Sequence, residues 1–136
     1  MKIEINKLTP DKMDVEFLKA VADKTAKLLK LKIPELSVAL ACDRRIKALN
    51  KKYRKKDRIT DVLAFDYGEI IICLPQAKRQ AKELGHSIKK ELSILLIHGL
   101  LHLAGYNDET KQEYDIMKRE GDNILNKIKN KCQKER

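Results

Sequence analysis

From Ile88 to Ala104 the chain reads IKKELSILLIHGLLHLA, and its C-terminal half is apolar on nearly every side. A helix without a polar face cannot lie on a surface, so this segment has to be enclosed by whatever else the chain folds into. Ser87 is a suitable cap for its start, and Gly105 can take the left-handed conformation that stops it. With 136 residues, 43% of them apolar, one core is enough. The expectation is a single domain over residues 1–136, built around this helix.

The remaining pattern supplies the enclosure. Residues Lys2 to Lys7 alternate in polarity and read as a strand. From Asp14 to Lys30, Leu18, Val21, Ala22, Thr25, Leu28 and Leu29 recur at the spacing of one helix face, with Asp14 as cap. A second strand covers Leu36 to Cys42. Asp43 is placed to cap a helix through Tyr53 whose inward residues are Ile46, Leu49 and Tyr53. Val62 to Phe65 and Ile70 to Leu74 are short enough, and close enough, to form a hairpin. Pro75 opens a helix that Gly85 ends. The last helix runs from Glu109 to about Lys129, and a charged tail over 130–136 is expected to fray. Four strands and five intermixed helices give an α+β fold.

The charge balance limits the partners. Thirty basic residues against twenty acidic ones leave a net charge of +10, and 37% of residues are charged. That points to an anionic partner, nucleic acid first, with a merely soluble surface rich in Lys and Glu as the equal alternative on charge alone. The longest apolar runs, Ile70–Leu74 and Ile94–Ile97, are far too short for a bilayer, and no secretory signal opens the chain. Three widely spaced cysteines fit reduced thiols better than a disulfide framework. A soluble cytoplasmic protein is expected.

The chemistry concentrates in His98-Gly-Leu-Leu-His102-Leu-Ala-Gly105-Tyr-Asn-Asp108. Histidines four apart project from one helix face, and the glycine turn can bring Asp108 back beside the same ion. This makes a metzincin-like HxxxHxxGxxD arrangement on a buried helix. Gly99 stands where metalloproteases of this type carry their general-base Glu, which disfavours peptide hydrolysis. Asp108 has a competing role as cap of the final helix. His86, between Gly85 and the Ser87 cap, reads as a solvent-exposed turn residue.

A second concentration lies between Arg44 and Arg58, where nine basic residues face only Asp57. Lys51, Lys52, Arg54, Lys55, Lys56 and Arg58 are its candidates for phosphate contact. Tyr53 offers a ring for base stacking, although inward packing is the simpler reading.

The runs Asn50-Lys-Lys-Tyr53-Arg54-Lys-Lys-Asp57-Arg-Ile-Thr60-Asp61-Val-Leu-Ala-Phe65, Gly68-Glu-Ile-Ile and His98-Gly-Leu-Leu-His102-Leu-Ala-Gly105-Tyr106 closely resemble the YbeY family of bacterial endoribonucleases, also called rRNA maturation factors. The resemblance covers about residues 36 to 125. It implies a mixed four-stranded sheet wrapped by helices, one zinc ion, processing of ribosomal RNA at the 16S 3′ end, and ribosome quality control. It puts metal ligands at His98, His102 and Asp108, the last where the family has His, and a functional arginine at Arg54. Ala64 replaces the usual Ser, Glu69 the usual Asp, and Asn107-Asp108 the usual Asp-His.

The expected protein is therefore a metal-dependent endoribonuclease acting on single-stranded or structured RNA, with His98 and Arg54 catalytic. Zinc is the expected ion, although two histidines and a carboxylate also suit iron or manganese. RNA, with the ribosome or its small-subunit precursors, is the expected partner; DNA and membranes are not. The rival is a ribosome-associated RNA-binding protein whose metal is structural. It is disfavoured because structural zinc usually takes four protein ligands and only three are assembled here.

Overall fold

The computed structural model describes residues 1–134, with side chains as far as Lys129. Its elements are β1 (Lys2–Lys7), α1 (Val15–Leu28), β2 (Glu35–Ala41), α2 (Asp43–Arg54), β3 (Val62–Phe65), β4 (Glu69–Cys73), α3 (Leu74–Leu84), α4 (Ile88–Leu103) and α5 (Lys111–Lys134). The strands form one mixed sheet in the order β1-β2-β4-β3. β1, β2 and β4 are parallel, with Ile5 opposite Val38 and Val38 opposite Ile70. The expected hairpin is present: β3 runs antiparallel to β4, so its outer side is a sheet edge.

Side-chain alternation divides the core between the two faces of the sheet. Ile3, Val38, Leu40, Val62, Ile70 and Ile72 face the layer of α1, α4 and α5. Ala41, Leu63, Ile71 and Cys73 face Ile46 of α2 in a smaller cluster. α4 is enclosed as its composition demands, packed against α1, α3, α5, β3 and β4. Leu92, Leu96 and Leu100 are wholly buried along it. Ser87 caps it, accepting from the amide of Lys90 at 3.1 Å. Asp14 caps α1 in the same way, accepting from Phe17 at 3.0 Å. No helix among the described residues is long and apolar enough to cross a membrane.

Three local expectations are corrected. Asp43 does not cap α2: Cys42 occupies the cap position without a side-chain bond. The Asp43 carboxylate instead takes two bonds from Arg79, at 2.7 and 3.1 Å, which hold it below the ordinary carboxylate range. The Cys73 thiol also donates to Asp43, at 3.2 Å, and burial pushes that thiol up to about 12, so it stays protonated. Cys42 and Cys73 are both free, one exposed and one buried.

Tyr53 does not point inward; it is 55% exposed, and Asn50 takes the buried position on α2. Its side-chain amide donates to the carbonyl of Arg58 at 2.9 Å, a bond that draws the basic loop back onto the helix and sets which face is turned in.

α5 begins two residues later than expected, because Thr110 and Glu113 cap it reciprocally. The Glu113 amide donates to Thr110 Oγ1 at 3.1 Å and the Thr110 amide donates to Glu113 Oε1 at 3.2 Å. The helix then continues to Lys134, through most of the stretch expected to fray; residues 135 and 136 lie outside the described residues.

Candidate metal centre

α4 carries His98 and His102 on its last two turns and then ends sharply. Gly105, at φ 101°, lets the Gly105 amide donate to His102 O and the Tyr106 amide to Leu101 O, each at 3.0 Å. This paired closure satisfies the helix's last carbonyls and reverses the chain. The reversal delivers Asp108 to the two imidazoles. His98 Nε2 and His102 Nε2 are 3.2 Å apart, and Asp108 Oδ2 is 3.4 Å from each.

Those separations test the fit to a metal. Ligand atoms about 2.0–2.1 Å from a tetrahedral ion stand about 3.3–3.4 Å from one another. His98, His102 and Asp108 are already at that spacing, so the three can hold one ion. His102 Nδ1 faces the carbonyl of Tyr106 at 3.2 Å; a proton on Nδ1 there leaves the Nε2 lone pair directed at the site. Burial, aided by His102, pushes His98 below the ordinary histidine value, against opposition from Asp108 and Asp61. A neutral imidazole is the form a metal requires.

The competing role for Asp108 is excluded by the Thr110–Glu113 cap. Two substitutions should therefore separate. Thr110→Ala should cost about 1 kcal/mol of stability in urea unfolding and leave metal uptake alone. Asp108→Ala should weaken metal uptake and leave stability nearly unchanged. The reverse pattern would return Asp108 to a capping role.

A cleft of about 510 Å³ opens beside the triad, lined by Asp61, Gln80, Glu91, Leu95, His98 and Asp108 among others. Three protein ligands beside such an opening match catalytic sites, which leave a position for water or substrate. Gly99 does not face this cleft. A Cβ built there would lie 3.0–3.2 Å from three side-chain carbons of Ile70, so this position is committed to packing α4 on the sheet.

Spacing along the sequence does not mark Glu91, and it gives His86 only a solvent-exposed turn; the structure joins the two. Glu91 is only 2% exposed. Its Oε1 is 2.8 Å from His86 Nε2, and its Oε2 accepts from Gln80 at 2.7 Å. His86 is thereby drawn into the fold as the partner of a buried carboxylate. Gln80 also reaches Asp61, at 3.4 Å. The available signal was a Glu two helical turns before His98, in a helix otherwise enclosed.

The basic residues are placed elsewhere. Lys51, Lys52, Arg54, Lys55, Lys56 and Arg58 are exposed on the end of α2 and the loop after it, and none lines the cleft. The Arg54 side chain makes no hydrogen bond or ion pair with a described residue.

The family model described as Endoribonuclease YbeY matches residues 2–129. The chain belongs to the YbeY endoribonuclease family. A relative named Endoribonuclease YbeY from Sulfurihydrogenibium sp. (strain YO3AOP1) is 40% identical over 124 residues, covering 82% of each chain. One of the same name from Aquifex aeolicus (strain VF5) is 39% identical over 139 residues, covering 94% of this chain and 89% of its own. A solution structure of a Thermotoga maritima protein superposes with a TM-score of 0.63 at 28% identity, covering 96% of this chain and 93% of its own. The mixed four-stranded sheet wrapped by helices that the YbeY resemblance implies is present.

Proposed function

We propose that this chain is a metal-dependent endoribonuclease of ribosomal RNA maturation, active in the cytoplasm, with zinc held by His98, His102 and Asp108. The observation carrying this reading is the convergence of three ligand atoms at 3.2–3.4 Å beside an open cleft, in a chain of an endoribonuclease family. Zinc is preferred for its tetrahedral habit and tolerance of mixed nitrogen and oxygen ligands. When bound, such an ion supplies Lewis-acid polarisation of a phosphate oxygen and lowers the pKa of coordinated water.

The protein's own residues supply the rest. Asp61, Glu91 and Asp122 are the cleft carboxylates besides Asp108. Glu91 has both oxygens engaged, and Asp61 is close enough to His98 to act on its charge, so Asp61 is the better-placed proton acceptor. The Arg54 side chain, without a partner among the described residues, is free to grip a phosphate of the bound strand through two oxygens in one plane. Lys51, Lys52, Lys55, Lys56 and Arg58 hold flanking phosphates as point charges.

The test is incubation of metal-replete protein with ribosomal RNA, beside an EDTA-treated sample and His98→Ala. Cleavage by the replete wild type alone is expected. Cleavage that survives EDTA, or none by any preparation, would overturn the reading. Arg54→Lys should lower turnover at saturating RNA roughly 10- to 100-fold while changing binding less, since a lysine cannot reproduce the planar grip. Unchanged turnover would reduce Arg54 to one more backbone contact.

A further inference from the structure

The chain has four tyrosines and two phenylalanines, and three of those six rings form one surface ladder. Tyr53, on the last turn of α2, meets Phe65 edge-on at 5.3 Å between centroids, with planes at 74°. Phe65, at the end of edge strand β3, stacks on Tyr67 of the β3–β4 turn at 5.8 Å, with planes at 21°. Phe65 is half-buried, whereas Tyr53 is 55% and Tyr67 69% exposed, so both outer residues stand largely in solvent. Lys52 Nζ lies 5.2 Å from the centre of the Tyr53 ring. Rings serving only the core would have turned inward, and Asn50 occupies the position Tyr53 would have needed.

We infer that Tyr53, Phe65 and Tyr67 form a base-stacking subsite for unpaired nucleotides of an RNA strand. The inference rests on the endoribonuclease reading and adds to it the residues that select single-stranded substrate. Charge complementarity commits the occupant: the exposed Lys51, Lys52, Arg54, Lys55, Lys56 and Arg58 share the end of α2 and the loop after it with Tyr53, and Lys52 lies over its ring. Asp66 and Glu69 flank the ladder at its Tyr67 end, Glu69 directly opposite Phe65 in the β3–β4 register. Phosphates are drawn to the α2 side and repelled from the turn, which leaves the bases over the rings. Duplex bases are already stacked and cannot be splayed onto a protein ring, so the subsite favours single strands. Phe65 and Asp61 bound the two ends of β3, about 13 Å apart at the strand rise. A strand held on the ladder therefore has the sheet edge as its route toward the cleft.

The experiment is a binding titration of the metal-loaded protein with 2′-O-methylated oligo(A), about 12 nucleotides long, and with an abasic oligomer of equal phosphate count. Wild type should bind oligo(A) more tightly than the abasic strand. Tyr53→Leu with Tyr67→Leu should lose about tenfold for each ring on oligo(A), lose little on the abasic strand, and keep the same salt slope. Tyr53→Phe with Tyr67→Phe should bind like wild type. Upfield shifts of the Tyr53 and Tyr67 ring protons on adding oligo(A) to wild type would support the subsite independently of any variant's folding. Unshifted rings, or equal losses on both oligomers, would overturn it. Wild type that cleaves ribosomal RNA yet cannot tell oligo(A) from the abasic strand refutes the subsite alone. Wild type that neither binds nor cleaves any RNA refutes the endoribonuclease reading and the subsite with it.

Discussion

His102→Ala should lower metal affinity by more than 100-fold and remove RNA cleavage, while the protein stays folded. The size follows from the geometry. Three ligand atoms at 3.2–3.4 Å form one face of a tetrahedron, and two cannot enclose an ion against water. Disturbing only the partners that orient ligands costs about 10- to 100-fold, so deleting a ligand should exceed that. Retention of the fold follows from position: His102 lies beside the cleft with its side chain 21% exposed, and the core leucines of α4 are untouched. Elemental analysis should find about one transition-metal equivalent in wild-type protein that has never met a chelator, and little in the variant. Asp108→His should retain binding, since imidazole is an equally good ligand at that place. Metal-free wild type, or a variant with its full metal content, would remove the triad from the mechanism.

The features that were legible in the amino-acid sequence are those whose physics is local. The enclosure of α4 follows from its apolar circumference, and the convergence of His98, His102 and Asp108 from a four-residue helical spacing followed by a glycine turn. What escaped reading depends on partners distant in the chain. Tyr53 and Asn50 both sit within helical reach of Ile46, and which one is buried is decided by the return of the Arg58 carbonyl onto Asn50. His86 looks solvent-facing beside Gly85, yet five residues on it meets a carboxylate that is sealed in and also held by Gln80 of α3. The start of α5 was available: Thr110-Lys-Gln-Glu113 is a capping box, and recognising it frees Asp108 for the imidazoles. The Asp43–Arg79 pair joins the start of α2 to the middle of α3, which no spacing rule brings together.

Gly99→Glu should unfold the protein instead of turning it into a peptidase. The substitution restores the residue type that metalloproteases carry between their histidines, so sequence comparison alone would expect new hydrolytic chemistry. Direction decides otherwise. A Cβ at position 99 points at Ile70, which is wholly buried on β4, and meets Cγ2, Cδ1 and Cγ1 at 3.0, 3.1 and 3.2 Å. A glutamate there drives more side-chain atoms into the α4–sheet contact, and overpacking of that kind costs about 1–3 kcal/mol. It also buries a carboxylate with no cation to meet, which adds several kcal/mol. Together these approach the whole stability of a small domain, about 5–15 kcal/mol. Gly99→Ala separates the two costs. It carries no charge, it needs Ile70 to shift only by tenths of an ångström, and it gains about 1 kcal/mol of helix propensity. Its stability should therefore stay within about 2 kcal/mol of wild type, with metal content unchanged. Thermal unfolding of the pair is the measurement. A Gly99→Glu protein that melts like Gly99→Ala would mean that its carboxylate had found the cleft, and that α4 does not lie on β4 as described.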